Sequence, residues 1–225
     1  MRVHSLNIGR PQLLVRGHRR LSSAINRRPV NRPVELDETG FDGDRVSDLK
    51  VHGSPDQAAC CYPHEHYAHW SDALGVEMQV PGFGENLTTE GLLEAAMCVG
   101  DTLRVGRATV QISQPRQPCG KLALKHDRPD LPQLVNSVAY TGFYLRVIEP
   151  GPVTPNDEIT LLERPHHDLT VERLTRTMLD SSADRSLLNR LASLPELSRS
   201  WRDRFAKKRN ALDSAGAPPL PGVGD

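Results

Sequence analysis

From Met1 to about Glu163, apolar residues come in short runs cut by Gly, Pro and Asp, and only brief stretches carry helical spacing. The pattern predicts strands at Val3 to Ile8, Ser22 to Val30, Pro33 to Leu36, Ala58 to Tyr62, Thr102 to Val105, Ala108 to Ser113, Gly142 to Ile148 and Ile159 to Leu162. Thr102 to Ser113 reads as a hairpin turning at Gly106-Arg107, where glycine admits a positive φ. Helices are predicted at Pro63 through Leu74 and at Leu131 through Val138. Beyond Arg164 to Asp168 the spacing becomes helical: Val171, Leu174, Met178, then Leu187, Leu188, Leu191, Leu194, then Leu197, Trp201, Phe205. Asp168 or Thr170 suits the first N-cap, Pro195 interrupts between the second and third segments, and Lys207, Lys208 and Arg209 suit a helix C-terminus. The expectation is a mainly β protein, with a β-barrel over residues 1–163, a three-helix domain over 164–212 and a disordered tail over 213–225.

Composition narrows this picture. A chain of 225 residues can bury a substantial core, and 28 basic against 28 acidic side chains argue against general disorder. The balance hides an asymmetry. The first 34 residues hold eight Arg and no acid, and Glu35, Asp37, Glu38, Asp42, Asp44 and Asp48 follow at once. A transit peptide could look like this, but the stretch also alternates like strands. No apolar run approaches the ~20 residues of a membrane span. Four cysteines, two of them adjacent, are too few for a disulfide scaffold, so reduced thiols and a cytoplasmic setting are expected.

The segment Ser113-Gln114-Pro115-Arg116-Gln117-Pro118-Cys119-Gly120 carries the sharpest chemical signal. Two prolines stiffen a loop after a strand, Gly120 permits close approach, and Arg116 would favour a thiolate at Cys119 if the two lie close. The plainer account makes Cys119 a small buried hydrophobe. Gly40 to Arg45, Asp48 and Val51 to Asp56 place acids and His52 on Gly-rich turns, where Asx capping is the preferred account of Asp42 and Asp48. Gly82 to Thr88 brackets Glu85 and Asn86 with glycines before a strand. Cys60, Cys61, His66 and His69 suggest zinc, but there is no HExxH and adjacent strand cysteines face opposite ways, so core cysteines and a polar helix face fit better. The N-terminal arginines lack the interleaved aromatics of a nucleic-acid surface, and no nucleic-acid partner is expected.

Taken in order, Ser23-Ala24-Ile25-Asn26-Arg27-Arg28-Pro29-Val30, Gly43-Asp44 to His52-Gly53 with Asp56, Gly84-Glu85-Asn86-Leu87, Val99-Gly100-Asp101 and Gln114 to Cys119 resemble the MOSC family, the domain at the C-terminus of molybdenum cofactor sulfurases. The resemblance spans about residues 1–163 and extends to the YiiM-type branch with its added three-helix domain. It implies a β-barrel binding a molybdopterin-type molybdenum cofactor, with Cys119 as metal ligand and catalytic residue. Pyridoxal phosphate binding is also associated with the family. Arg27, His52, Asp56, Glu85, Asn86, Gln114 and Arg116 fall at positions that the resemblance assigns to the cofactor pocket, the Arg groups on phosphate. The family commonly carries Lys where Arg27 stands and Gly where Ser54 stands.

The resulting reading is a reductase converting N-hydroxylated compounds, such as 6-hydroxylaminopurine, to the amine. With no dinucleotide fingerprint or iron–sulfur cysteine set visible, electrons would come from a separate flavin- or NAD(P)H-linked reductase. Two alternatives stay open: a sulfur carrier using a Cys119 persulfide, and a non-enzymatic binding or scaffolding module whose helices dock a partner. Homodimerisation is left open as well.

Overall fold

The computed structural model describes residues 1–47 and 53–215. Its largest element is a mixed sheet of eight strands: β1 (Arg2–Ile8), β4 (Arg28–Val30), β7 (Ala59–Pro63), β8 (Leu87–Glu90), β9 (Thr102–Val105), β10 (Ala108–Pro115), β11 (Phe143–Glu149) and β13 (Ile159–Glu163). Their order is β13-β9-β10-β11-β7-β8-β1-β4, antiparallel throughout except for the β7–β8 pair. A three-stranded sheet joins β12 (Gly151–Val153), β5 (Val34–Asp37) and β6 (Gly40–Phe41), and β2 (Gln12–Arg16) pairs only with β3 (Arg19–Ser23).

The strand order is that of an open sheet, so the barrel expectation holds only in a coarser form, a large mixed sheet followed by a helical region. The sheet nevertheless curls back on itself. Val3 N donates to Asp157 O (2.9 Å), Asn156 N to Val3 O (2.8 Å) and Ile159 N to Met1 O (2.8 Å), tying the start of β1 to the approach to β13.

The β9–β10 hairpin turns where the glycine was read, Val105 facing Ala108 across Gly106 at φ +57°. The single strand expected over Ser22 to Val30 is instead the end of β3, a turn, and β4. The chain breaks there because Ala24 and Ile25 turn inward and the Arg27 side chain is drawn to Asp44.

Six α-helices occur among the described residues: α1 (His66–Leu74), α2 (Gly120–His126), α3 (Leu131–Val138), α4 (Val171–Leu179), α5 (Arg185–Ser193) and α6 (Arg199–Ala215). Thr170 Oγ1 caps α4 through Arg173 N (3.1 Å), whereas Asp168 pairs with Arg173 and Arg190. α6 runs on through Ala215, past the 213 boundary of the expected tail, and 216–225 lie outside the described residues. Leu188, Leu191, Trp201 and Phe205 share one buried cluster with Val110, Ile112 and Leu145 of the sheet, so sheet and helices close over a common core. A second cluster, holding Leu14, Ile25, Trp70, Phe83 and Leu122, lies beneath α2. No described helix is long and apolar enough to cross a membrane.

Candidate functional site

A cavity of about 580 Å³ gathers Cys119, Arg116, Cys60, Tyr144, Arg27 and Asn86. Its floor is a cross-strand pair. Cys60 on β7 and Tyr144 on β11 are register partners, so their side chains share one sheet face. Asn86 fixes this floor by accepting from Cys60 N at its Oδ1 (3.1 Å) and donating its own N–H to Cys60 O (2.9 Å).

Above the floor, β10 ends at Pro115 and the chain crosses to α2, with Cys119 in extended conformation immediately before the helix. The thiol is half-buried and makes no capping bond to the helix. Gly120, next to Cys119, is exposed at the surface, and an added Cβ there would meet nothing within 4 Å. Arg116 is buried, its Nη2 donating to Phe83 O (2.6 Å), while its Nη1 has no partner. Burial opposes the Arg116 charge, but the Cys60, Tyr144, Cys119 and Glu85 groups outweigh it and raise its pKa above the ordinary value. Burial also raises the Cys60 thiol, against the pull of Arg116 and Arg27. Tyr144 is raised too, by burial and then by Cys60, so it presents a neutral hydroxyl.

Arg27, which the resemblance assigns to phosphate, lines the cavity while held by protein groups. Its Nε (2.9 Å) and Nη2 (2.6 Å) both donate to Asp44, and Nη1 donates to Gly84 O (2.5 Å). Burial alone would lower its pKa, but the Asp44 hydrogen bonds raise it, so the guanidinium is charged and already neutralised. A Lys could not form this two-pronged contact. Ser54, where the family commonly has Gly, holds φ −74° and accepts from Asp56 N at its Oγ, so no glycine is needed there.

Of the residues singled out in the sequence, Cys119, Arg116, Arg27 and Asn86 therefore line one cavity. Glu85 is buried beside it, accepting from Tyr67 Oη, Thr88 Oγ1 (2.8 Å) and Phe83 N (3.0 Å), and it organises the wall from behind. Asp56 turns away to Arg146 (2.8 Å). Gln114 is buried towards the helical region, where Ser200 Oγ donates to its Oε1 (3.3 Å). His52 and Asp48 lie outside the described residues. Cys61 points into the sheet core, opposite Cys60, and His66 is buried on Glu94 (2.7 Å) rather than on an exposed helix face.

Asp44, Cys60, Tyr144 and Lys121 line the cavity without having been singled out as site residues. Lys121 lies on α2 and donates to Ser47 Oγ (2.9 Å). Asp44 had a readable signal, an acid on a Gly-rich turn downstream of Arg27, but its partner is set only by the fold.

Comparison with known proteins places the chain in a family. Residues 48–160 match the MOSC domain, and residues 169–211 match the YiiM-like, 3-alpha helix domain. YflK of Bacillus subtilis (strain 168) is 41% identical over 210 residues, covering 93% of this chain and 95% of that protein. The crystal structure of YiiM from Geobacillus stearothermophilus is 35% identical and superposes with a TM-score of 0.79, covering 92% of this chain and 98% of that one. A protein named reductase from Gibberella moniliformis (strain M3125 / FGSC 7600) is 29% identical over 179 residues, 78% of this chain but 32% of its own length. The chain belongs to the MOSC domain family, in its YiiM-like branch.

Proposed function

We propose that this chain is a molybdenum-cofactor-dependent reductase of N-hydroxylated compounds such as 6-hydroxylaminopurine. The observation that carries the reading is the pairing, in one cavity, of the half-buried Cys119 thiol with a buried Arg116 whose Nη1 has no partner. That orphaned donor and the Lys121 ammonium, both in the cavity wall, fit an anionic, metal-bearing pterin better than an empty structural pocket. Cys119 would hold the metal, a soft ligand for a redox-active centre, and Arg116 and Lys121 would hold anionic oxygens. Arg27 would act at one remove, positioning Asp44 and the Gly84 carbonyl. When bound, the group supplies two-electron redox chemistry.

The net reaction takes R–NH–OH, two electrons and two protons to R–NH₂ and water. Tyr144, a neutral hydroxyl in the cavity floor, is a hydrogen-bond donor available to substrate. The name of the Gibberella moniliformis relative favours reductase chemistry. The electrons would come from a separate flavin- or NAD(P)H-linked protein.

The test is molybdenum and pterin content of wild type and Cys119→Ser, both made in a molybdenum-replete host. Near-stoichiometric molybdenum in wild type, falling in the variant while the thermal midpoint holds, is the expected result. Molybdenum absent from both, with a transferable sulfur adduct on Cys119 after incubation with a cysteine desulfurase, would replace this reading with sulfur carriage.

A further inference from the structure

We propose that the outer face of the β2–β3 hairpin is the docking surface for an acidic, flavin-bearing electron-donor protein; this rests on the reductase reading of the cavity. The hairpin stands apart from the main sheet, since β2 and β3 pair only with each other. Its inner face is accounted for by Leu14 and Leu21, which pack on the cluster that holds Leu122 and Leu124 of α2. Its outer face is not. Leu13 and Val15 are 67% and 43% exposed, two positions apart on one strand and therefore side by side.

The charge around this apolar pair is one-sided. Arg20 is the register partner of Val15 and so shares its face, and Ser22 faces Leu13. Arg10, just before β2, is exposed, and Arg19, the register partner of Arg16 on the other face, is exposed beside the turn. Among the described residues none of Arg10, Arg19 and Arg20 has an ion pair, whereas Arg2, Arg27, Arg146 and Arg164 each hold a carboxylate. The first 34 residues contain no acid to neutralise them. An apolar centre with a cationic rim is the anatomy of a protein interface, and its complement is an acidic protein. The hairpin has no Phe, Tyr or Trp on which a nucleobase could stack and is no amphipathic helix for a lipid surface.

Position supplies the identity of the partner. At the end of β3 and directly after it, Ser23, Ala24, Ile25 and Arg27 form a wall of the Cys119 cavity. Arg16 Nε donates to Leu124 O (3.2 Å) and Lys125 Nζ to Ile25 O (3.3 Å), so the hairpin and this wall are both bonded to the helix that begins at Cys119. A protein seated on Leu13 and Val15 is thus separated from the cavity by one hairpin and one short helix. Each turnover consumes two electrons, and such a seat puts their donor one hairpin and one helix from the cavity.

The test uses the molybdenum-loaded protein, a flavodoxin-type FMN protein as probe, and two outward-facing variants, Arg20→Glu and the double variant Leu13→Ser with Val15→Ser. Fluorescence anisotropy at low and at physiological salt reads binding, and 6-hydroxylaminopurine reduction is driven in parallel by the FMN protein and by dithionite. The expected result is salt-sensitive binding weakened about tenfold or more in both variants, a matching rise in KM for the FMN protein, and an unchanged dithionite-driven rate. Unchanged binding in the variants overturns the proposal, as does tighter, arginine-dependent binding of anionic vesicles or duplex DNA. If dithionite drives no reduction in molybdenum-loaded wild type, the reductase reading itself falls and the proposal with it, whatever the hairpin binds.

Discussion

Removing Asp44 should unfold the site from beneath Arg27. The carboxylate accepts from Arg27 Nε (2.9 Å), Arg27 Nη2 (2.6 Å), Gly9 N (2.7 Å) and Asn86 Nδ2 (3.1 Å), and the Arg27 and Asp44 side chains are only 10% and 9% exposed. In Asp44→Ala the guanidinium stays buried and charged with the Gly84 carbonyl as its remaining acceptor. Breaking a buried pair in this one-sided way costs about 3–5 kcal/mol. With a urea m-value of about 2 kcal/mol/M, the unfolding midpoint should fall by about 1.5–2.5 M. Removing both charges in Arg27→Met with Asp44→Leu should recover part of that loss, because no uncompensated ion remains. Full recovery is not expected, since Gly9 N and Gly84 O lose partners at about 1–3 kcal/mol each where water cannot reach them. A single-variant loss below about 1 kcal/mol, the range of an exposed pair, would refute this account. So would a double variant no more stable than the single one.

Two further outcomes follow from groups around the same wall. Burial lowers the Lys125 pKa from its ordinary 10.5 to about 8, against the attraction of Glu85. The unfolded chain therefore binds more protons between these values, and wild-type stability rises with pH across that window. Lys125→Gln, which keeps a donor for Pro81 O, should be more stable than wild type below pH 8 by at most about 3 kcal/mol, the gain fading as pH approaches 10.5; a gain independent of pH in urea titrations would disprove it. Gly142→Ala places a Cβ against the Cys61 carbonyl at φ +70°, in backbone that also takes Arg116 N (3.0 Å) and donates to Glu94 (2.6 Å). A loss above about 2 kcal/mol is expected by thermal scan, and one under about 0.5 kcal/mol would show that the clash relaxes freely.

The elements that were legible are those whose side chains alternate between core and surface. β9 and β10 place their apolar residues at alternate positions, Leu103, Val105, Ala108, Val110 and Ile112, all buried, and the turn at Gly106 needs the backbone only glycine supplies cheaply. α2 was not legible because its buried residues, Leu122 and Leu124, stand two apart, the spacing of a strand, in a helix of seven residues. β2 and β3 were missed because their hairpin buries one face only and surrounds it with arginine, so Leu13 and Val15 look like core in the sequence and face outward in the fold. Motif order pointed to Cys119 and Arg116. Spacing alone could not show that Gln114, three residues before Gln117, would turn to the helical region while Gln117 lines the cavity, because register irregularity between Ile112 and Gln114 shifts which residues face inward.

The two buried arginines beside the cavity show how the site separates scaffold from ligand contact. Arg27 is neutralised by Asp44 and would remain so with the cavity filled, so it fixes geometry whatever binds. Arg116 has no carboxylate in salt-bridge contact among the described residues, and its Nη1 is buried without an acceptor. Such a cation is costly to bury, and prolines at 115 and 118 restrict its retreat to solvent. Its neighbours supply only thiols, a phenol and the already bonded Glu85, so the charge is balanced when an anion completes the set. The cavity thus carries a positive charge fixed before any ligand arrives, next to the nucleophilic group that would bind the metal. That order of assembly, charge held by the fold and thiol left open, is what distinguishes this cavity from one shaped by packing alone.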